Sequence, residues 1–246
     1  MSHTTISAAQ ELPRYLAVQP LFRGISEPDL ARIVAQGCSL LRLARGQSLF
    51  SAGEVCDSFH LLVTGQLKLF AISAQGGEKV LELLGPGQTV GEAALFNDLP
   101  QAFSAQVLSD ALLLRIPKAA ITEQISRDPS FALRLLADAS QRIHGLLRDV
   151  ESYCLHSGMQ RVVGFLLDGE PQARQAARPS ASPTARREPH TVSLPVSKAT
   201  IASRLSLTPE YFSRVLRELE DEGLIQISRR DIHILQPQQL ASYTLQ

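Results

Sequence analysis

The chain has 246 residues and a hydrophobic content of 44%, which gives it room for one large or two small domains with a buried core. Its 24 basic and 24 acidic residues cancel, so net charge alone does not indicate a nucleic-acid partner. No apolar run approaches the roughly 20 residues of a membrane span, and residues 1–20 lack the layout of a signal peptide, so we expect a cytoplasmic protein.

The N-terminal half is predicted to combine short helices with a β-sandwich. Residues 1–12 are polar and are predicted to be loose, whereas residues 13–36 favour two short helices, the second capped by Ser26. Between Leu40 and Ile116, short strand-like segments alternate with glycine-bearing turns, which is typical of an antiparallel sandwich or jelly roll. The predicted strands are Leu40–Leu43, Ser48–Phe50, Phe59–Val63, Leu67–Ala71, Val80–Leu84, Thr89–Val90, Phe103–Val107 and Ala111–Ile116.

A long helix is predicted from Asp128 to about His156, after a short helix that follows Pro117. Its apolar residues recur at intervals of three and four over roughly three heptads, which indicates a coiled-coil seam between two copies of the chain. A helix packed on its own sheet would carry a similar stripe, and this alternative stays open. The predicted dimer contacts, called the seam below, are Leu136, Ile143, Leu147 and Val150.

An insert separates the long helix from the C-terminal segment. Residues 160–167 favour another apolar helix. Residues 169–190 contain four prolines and four arginines but no run of apolar residues that could bury a face. We therefore predict that this stretch is a disordered insert.

The C-terminal segment, from about Val192 to Leu235, is predicted to be a winged helix-turn-helix. Ser197 caps a short helix, and two residues separate its end at Leu205 from Thr208, the cap of a second helix that reaches about Glu222. Pro209 suits the first helical position, because it has no N–H to leave unpaired. Alternating residues on both sides of a turn then predict a hairpin, the wing, whose turn contains Arg229 and Arg230.

The second of these helices has two distinct faces. Phe212, Val215, Leu216 and Leu219 form an apolar stripe, and the opposite side, called the reading face below, consists of Glu210, Ser213, Arg214 and Arg217. Carboxylate, hydroxyl and guanidinium groups can read base edges in the major groove of DNA. Any soluble amphipathic helix shows such a split, but the helix before it and the wing after it favour DNA binding. Palindromic DNA sites need two reading heads related by a two-fold axis, which favours the coiled-coil dimer.

Motifs across the chain resemble those of the cyclic-AMP receptor/fumarate-nitrate reduction regulator (Crp/Fnr) family of bacterial transcription factors. The resemblance covers about Leu21 to Leu235 without the insert. The motifs are Leu49-Phe50-x-x-Gly53-Glu54, Phe59-x-Leu61-x-x-x-Gly65-x-Leu67-Lys68-Leu69, Gly85-Pro86-Gly87-x-x-x-Gly91-Glu92 and Glu210-x-x-Ser213-Arg214.

The resemblance implies an α+β fold with a cyclic-nucleotide-binding-like β jelly roll, a dimerisation helix and a winged helix-turn-helix. We expect a sensing domain over residues 1–127 with its core at 21–116, a dimerisation helix over 128–157 and a DNA-binding domain over 158–246. It further implies an activator that contacts RNA polymerase and reads half-sites of the TTGAT type. The expected DNA-binding residues are Ser197, Lys198, Thr208, Pro209, Glu210, Ser213, Arg214, Arg217, Arg229 and Arg230. Family members often have glycine at the position of Ser206, so the turn is expected to do without left-handed backbone freedom there.

The expected effector pocket contains Gly91, Glu92, Phe103 and Ser104. Cyclic-nucleotide-binding members of the family carry an arginine that neutralises the phosphate, and Phe103 stands at that position here. A buried phosphate without a positive partner is unfavourable. We therefore expect an effector other than cyclic AMP or cyclic GMP, with a cyclic-nucleotide-responsive regulator of the same fold as the alternative. For Glu92 we expect a structural or interdomain hydrogen-bonding role.

The resemblance raises the question of two cofactors, an iron–sulfur cluster and haem. An iron–sulfur cluster needs four cysteines, but the chain has three, Cys38, Cys56 and Cys154, and none precedes Cys38, so we do not expect such a cluster. The motifs are closest to the denitrification-regulator branch, whose members respond to nitric oxide, in some cases through haem. A haem would need an axial ligand, and the candidates are His60 in the roll, together with Cys56, His144, Cys154 and His156.

Two other functions remain open at the level of sequence. Jelly rolls also occur in metalloenzymes, but His60 is the only histidine in the predicted roll, so no cluster of metal ligands is evident. A helix-turn-helix can also serve only for protein contacts. We therefore expect a regulator rather than an enzyme.

Overall fold

The computed structural model of the protein describes residues 4–6, 12–168 and 188–243. Contacts between Cα atoms divide the chain into two compact units, residues 1–142 and 143–246. The division falls inside the longest helix, so that helix contributes residues to both units. Among the described residues, no helix is long and apolar enough to cross a lipid bilayer.

Two antiparallel sheets form the N-terminal unit. Their strands are β1 (Thr4–Ile6), β2 (Ser39–Leu43), β3 (Ser48–Phe50), β4 (Ser58–Thr64), β5 (Leu67–Ile72), β6 (Glu78–Leu84), β7 (Thr89–Val90), β8 (Ser104–Val107) and β9 (Ala111–Pro117). The larger sheet has the order β1-β2-β9-β4-β7 and the smaller one β3-β8-β5-β6. The predicted roll is confirmed, since all neighbouring strands in these two sheets except β5 and β6 are distant in sequence.

Helices flank the larger sheet. They are α1 (Leu12–Ala17), α2 (Glu27–Ala35), α3 (Glu92–Asn97), α4 (Lys118–Arg127) and α5 (Pro129–Leu155), with a 3₁₀ turn at Pro20–Phe22. The Ser26 hydroxyl accepts a hydrogen bond from the Asp29 N–H, which confirms the predicted cap of α2. The long helix also has the predicted bounds to within one residue.

The larger sheet is buried on both faces. Phe59 and Leu61 of β4 pack into a core with the helices, whose aromatic centre is the Phe22–Phe131 pair with ring centroids 5.5 Å apart. Leu62 of the same strand belongs to the second core, between the two sheets. Because successive side chains of a strand point to opposite faces, the apolar run at residues 59–63 supplies both cores.

One prediction for this unit was wrong. Thr4–Ile6 is not loose but forms strand β1, which pairs antiparallel with Leu40–Arg42 of β2. The segment becomes a strand because it pairs with β2, which its polar sequence does not predict. The strand predicted at Phe103–Val107 is confirmed as β8 to within one residue, and Phe103, just before it, is 44% exposed.

The C-terminal unit is a winged helix-turn-helix, as predicted. Its elements are α6 (Gly158–Asp168), β10 (His190–Ser193), α7 (Lys198–Arg204), α8 (Pro209–Asp221), β11 (Ile225–Ser228), β12 (Asp231–Ile234) and α9 (Pro237–Ser242). Residues 169–187 of the predicted insert lie outside the described residues. The prediction of disorder was wrong at His190, which begins strand β10 and pairs with Ile234 of the wing.

Helix α8 begins at the residues that the sequence predicts. The Thr208 hydroxyl accepts from the Tyr211 N–H at 3.2 Å, and Pro209 stands at the first helical position. All four residues of the apolar stripe are at most 1% exposed. Burying four side chains of this size contributes on the order of 6–12 kcal/mol, which fixes the rotation of the helix about its axis.

The turn between α7 and α8 differs from the prediction. Ser206 adopts a φ of +57°, in the left-handed region, so the turn does use this conformation although glycine is absent. The adjacent Leu207 N–H donates to the Ala202 carbonyl at 2.9 Å, a contact that closes the end of α7. A left-handed residue with a Cβ atom costs about 1–2 kcal/mol, and the packing of the two helices on either side has to offset it.

Candidate nucleic-acid interface and sensing region

The reading face points to solvent in the C-terminal unit. Glu210, Arg214 and Arg217 are exposed, and Ser213 is half-buried, whereas the apolar stripe on the other side of α8 is buried. The face therefore presents one carboxylate, one hydroxyl and two guanidinium groups on a single helix. This is the set of groups that can distinguish base pairs in the major groove.

The two predicted caps have a structural role that sequence reasoning identified. The Ser197 hydroxyl accepts from the Thr200 N–H at 3.1 Å and lies 2.7 Å from the Thr200 hydroxyl. The Thr208 hydroxyl accepts from an amide, which leaves its own O–H able to donate to a phosphate. Lys198 and Pro209 occupy the first helical positions of α7 and α8, where an approaching DNA backbone would meet the helix N-termini.

The wing carries two exposed cations. Arg229 and Arg230 form the turn between β11 and β12, and Arg229 has a φ of +55°. The Arg230 carbonyl accepts from the Leu194 N–H at 2.7 Å, next to the added strand β10. This strand braces the hairpin, so both arginines are held at one edge of the domain, where they suit a phosphate backbone.

Arg204, the last residue of α7, is largely buried, with its side chain 13% exposed. Its guanidinium pairs with the Asp149 carboxylate at 2.5 Å and donates to the Tyr153 hydroxyl, which in turn donates to the Arg204 carbonyl. Burial raises the pKa of Tyr153. Arg204 therefore joins α7 to the second half of α5 and is not available to DNA.

The seam is exposed along α5. Leu136, Ile143, Leu147 and Val150 are between 56% and 62% exposed. The alternative that this stripe packs on the protein's own sheet is therefore wrong. Tyr153, three residues after Val150, is half-buried beside Arg204.

Glu92 meets an arginine that sequence reasoning missed. Arg142 of α5 forms an ion pair with the Glu92 carboxylate and a second one with Glu82 at 2.7 Å, and it donates to the Thr89 carbonyl at 3.3 Å. All three charged side chains are 16–17% exposed. The predicted hydrogen-bonding role of Glu92 is thus found within the N-terminal unit, between the roll and the first half of α5.

The surroundings of Arg142 carry more negative than positive charge. Asp138 lies one helical turn before it, and desolvation, followed by the negative charge of Glu82, raises the pKa of Asp138. The second oxygen of Glu92 is buried and has no hydrogen-bond partner among the described residues. One guanidinium therefore serves two carboxylates with a third nearby, an arrangement that disfavours a bound anion.

The other predicted pocket residues are engaged separately. The Ser104 hydroxyl accepts from the Ala52 N–H at 3.0 Å. Gly91 has a φ of +97°, and a Cβ atom there would lie 3.2 Å from the Gln101 amide nitrogen. Phe103 is exposed, and none of Gly91, Phe103 and Ser104 carries a positive charge, so these residues do not form a phosphate site around a cation.

The candidate haem ligand His60 lies beside a residue of the core between the sheets. Its ring is half-buried in β4, 6.4 Å from the ring of Phe50, which belongs to the core between the sheets. Burial raises the pKa of Cys38 to about 12 and also raises the pKa of Cys56, so neither thiol is ionised at neutral pH. Among the described residues, no group of three or more metal-ligating side chains is found.

Two family models match the chain. A cyclic nucleotide-binding domain matches residues 40–128, and a Crp-like helix-turn-helix domain matches residues 160–243. Together they cover more than half of the sequence.

Individual relatives agree with these matches. The transcriptional activator protein Anr of Pseudomonas protegens is 27% identical over 224 residues, 91% of this chain and 86% of that protein. The cyclic AMP receptor protein of Thermus thermophilus is 26% identical over 218 residues, 87% of this chain and 92% of that protein. The structure of FixK2 from Bradyrhizobium japonicum, 19% identical, shares the fold with a TM-score of 0.69 over 84% of this chain and 96% of that one.

The Arg204–Asp149 pair is expected to stabilise the C-terminal unit. Arg204→Ala should lower the free energy of unfolding by about 3 kcal/mol, because it leaves a largely buried carboxylate unpaired. The double variant with Asp149→Ala should show a coupling of about 1–3 kcal/mol. Urea unfolding followed by circular dichroism measures both quantities. Arg217→Ala, an exposed arginine of α8, is the matched control and should change stability by less than about 0.5 kcal/mol. If the two arginine variants lose equal stability, the assignment of Arg204 to a buried pair is incorrect.

Proposed function

The chain belongs to the Crp/Fnr family of transcriptional regulators, and from this premise we propose that it binds a TTGAT-N4-ATCAA-like palindrome as a homodimer. It is a DNA-binding regulator and not an enzyme. The observation that carries the proposal is the exposed reading face of α8, opposite four buried apolar residues.

Each group of the reading face has a partner on the proposed half-site. Arg214 can donate two hydrogen bonds to the O6 and N7 of guanine, and Glu210 can accept from the N4 amino group of cytosine. A G·C pair in TTGAT offers both. Ser213 can donate or accept at a neighbouring base, and the wing arginines supply phosphate contacts that set the orientation of the domain.

The exposed seam supports the proposed homodimer. Leu136, Ile143 and Val150 recur every seven residues, with Leu147 between them, as the facing positions of a two-stranded coiled coil do. More than half of each side chain is exposed in the single chain, and a second copy related by a two-fold axis would cover all four. Two heads on successive major grooves, about 34 Å apart, match a palindrome.

The effector proposed for the roll is a small molecule other than a cyclic nucleotide. Glu92, which holds the ribose in cyclic-nucleotide members, is already paired with Arg142. The surplus of carboxylates around Arg142 would repel a phosphate, and Phe103 provides no positive charge to offset it. Contact with RNA polymerase and action as an activator are part of the same proposal.

Haem does not fit the residues of the roll. A haem needs a pocket of at least about 300 Å³, whereas the ring of half-buried His60 lies 6.4 Å from the ring of Phe50, which belongs to the core between the sheets. The proposed function therefore does not involve haem. The metalloenzyme alternative has no support either, because the relatives are regulators and the described residues contain no ligand cluster.

Variants of the reading face test the DNA proposal. Arg214→Ala should weaken binding to the TTGAT-N4-ATCAA duplex by about 1–3 kcal/mol per half-site, and Glu210→Ala should relax the choice of base at the position it reads. Fluorescence anisotropy with parent and base-substituted duplexes measures both. Asp221→Ala, at the far end of the same helix, is the control and should bind like the parent. Unchanged binding by both reading-face variants would remove the assignment, and a parent that does not bind would favour a role in protein contacts.

One substitution in the seam tests the dimer. Ile143→Glu places two carboxylates opposite each other in an apolar contact, so the protein should sediment at the 26.8 kDa of one chain instead of twice that mass. Gln141→Glu adds the same charge on the same helix outside the seam and should leave the dimer intact. A parent protein that sediments as a single chain at micromolar concentration would contradict the proposal.

Thermal unfolding tests the effector class. Roughly millimolar cyclic AMP or cyclic GMP should leave the melting temperature unchanged, whereas a ligand present at 100 times its Kd adds about 2.7 kcal/mol of stability. 5′-AMP serves as the control for nonspecific effects. A rise of several degrees with a cyclic nucleotide and none with 5′-AMP would show that this class of effector binds.

A further inference from the structure

Arg214 lies on an aromatic ring of its own helix. Its guanidinium carbon is 4.8 Å from the centroid of the Tyr211 ring, three residues earlier on α8. Residues at this spacing share one side of a helix. Arg214 is exposed and Tyr211 is half-buried, so the ring is the inner support and the guanidinium is the outer group. Among the described residues, Arg214 forms no ion pair, although Glu210 and Glu218 lie one turn away on either side.

The ring of Tyr211 is in turn held by Gly158, the first residue of α6. A Cβ atom at Gly158 would lie 2.6 Å from Cε1 and 2.9 Å from Cζ of Tyr211, closer than real contacts allow. The backbone of Gly158 is not in the left-handed region, so its conformation does not require glycine. The lack of a side chain matters here because it lets the tyrosine ring lie directly on the start of α6.

We infer that Tyr211 is a positioning residue for base reading: it holds the Arg214 guanidinium over the reading face, and Gly158 holds Tyr211. The inference rests on the proposed function, in which Arg214 reads guanine. It assigns Tyr211 a role in specificity through Arg214 and not through a contact of its own with DNA.

The chemistry of the guanidinium makes this arrangement useful. Stacking on an aromatic ring uses the flat face of the group, while its N–H donors point outward in the plane and remain available to O6 and N7 of guanine. A long arginine side chain otherwise loses rotational freedom when it binds, which weakens the interaction. The ring fixes the group beforehand and also competes with the two neighbouring glutamates for it.

The test compares affinity for TTGAT-N4-ATCAA with affinity for TTAAT-N4-ATTAA, in which the guanine is replaced in both half-sites. Tyr211→Leu, which keeps an apolar side chain but removes the ring, should lower the ratio of the two affinities by about three- to tenfold. Tyr211→Phe keeps the ring and should retain the parent ratio. If Tyr211 instead contacted a phosphate, both duplexes would be weakened equally and the ratio would not change, which would overturn the inference.

A second variant changes a contact of the Tyr211 ring from helix α6. Gly158→Ala should displace the Tyr211 ring and lower the ratio by a similar factor. In the Tyr211→Leu background the same Gly158→Ala change should have no further effect on the ratio, because the ring it displaces is gone. Equal ratios for the parent, Tyr211→Leu and Gly158→Ala, alongside a reduced ratio for Arg214→Ala, would overturn the inference and leave the proposed function intact. A parent that does not discriminate between the duplexes would overturn both.

Discussion

The burial of one face of α8 is the constraint on which the functional surface depends. Phe212, Val215, Leu216 and Leu219 can be removed from water together only at one rotation of the helix, and this rotation turns Arg214 outward. The cap at Thr208 sets where the helix begins. The spacing of the residues within the helix, and not its start, places the reading groups opposite the apolar stripe. The chemistry offered to DNA is therefore a consequence of packing.

Charged groups fix the long helix α5 within each unit. In the N-terminal unit Arg142 is shared by Glu82 and Glu92, and in the C-terminal unit Asp149 pairs with Arg204. Buried pairs of this kind add little net stability, but they penalise alternative arrangements because separating them leaves a charge unpaired. The buried Phe131 and these ion pairs, and not the seam, therefore hold the helix within its units. The seam is left exposed, as the proposed dimer requires.

Features set by neighbouring residues could be predicted from the sequence, and features set by distant partners could not. The caps at Ser26, Ser197 and Thr208 depend on three or four residues each, and all accept the predicted bond. The strand at Thr4–Ile6 exists because β2 offers a free edge, which its own polar sequence does not reveal. The ion pair of Arg204 could not be predicted, because its partner Asp149 is 55 residues away. The left-handed Ser206 shows that packing of two helices can impose a conformation that the residue type alone disfavours.

The balance of charge has a consequence for how such a protein would select a site. The net charge is zero, and with Arg204 engaged internally, the cations available to phosphates in the described part of the C-terminal unit are few. Phosphate contacts supply most of the nonspecific affinity of DNA-binding proteins, so this contribution is small here. In the proposed dimer, binding then relies on base contacts and on both heads engaging at once, since linking two weak sites raises the overall affinity by large factors. An arginine held ready by Tyr211 is valuable under these conditions, because each base contact has to contribute its full discrimination.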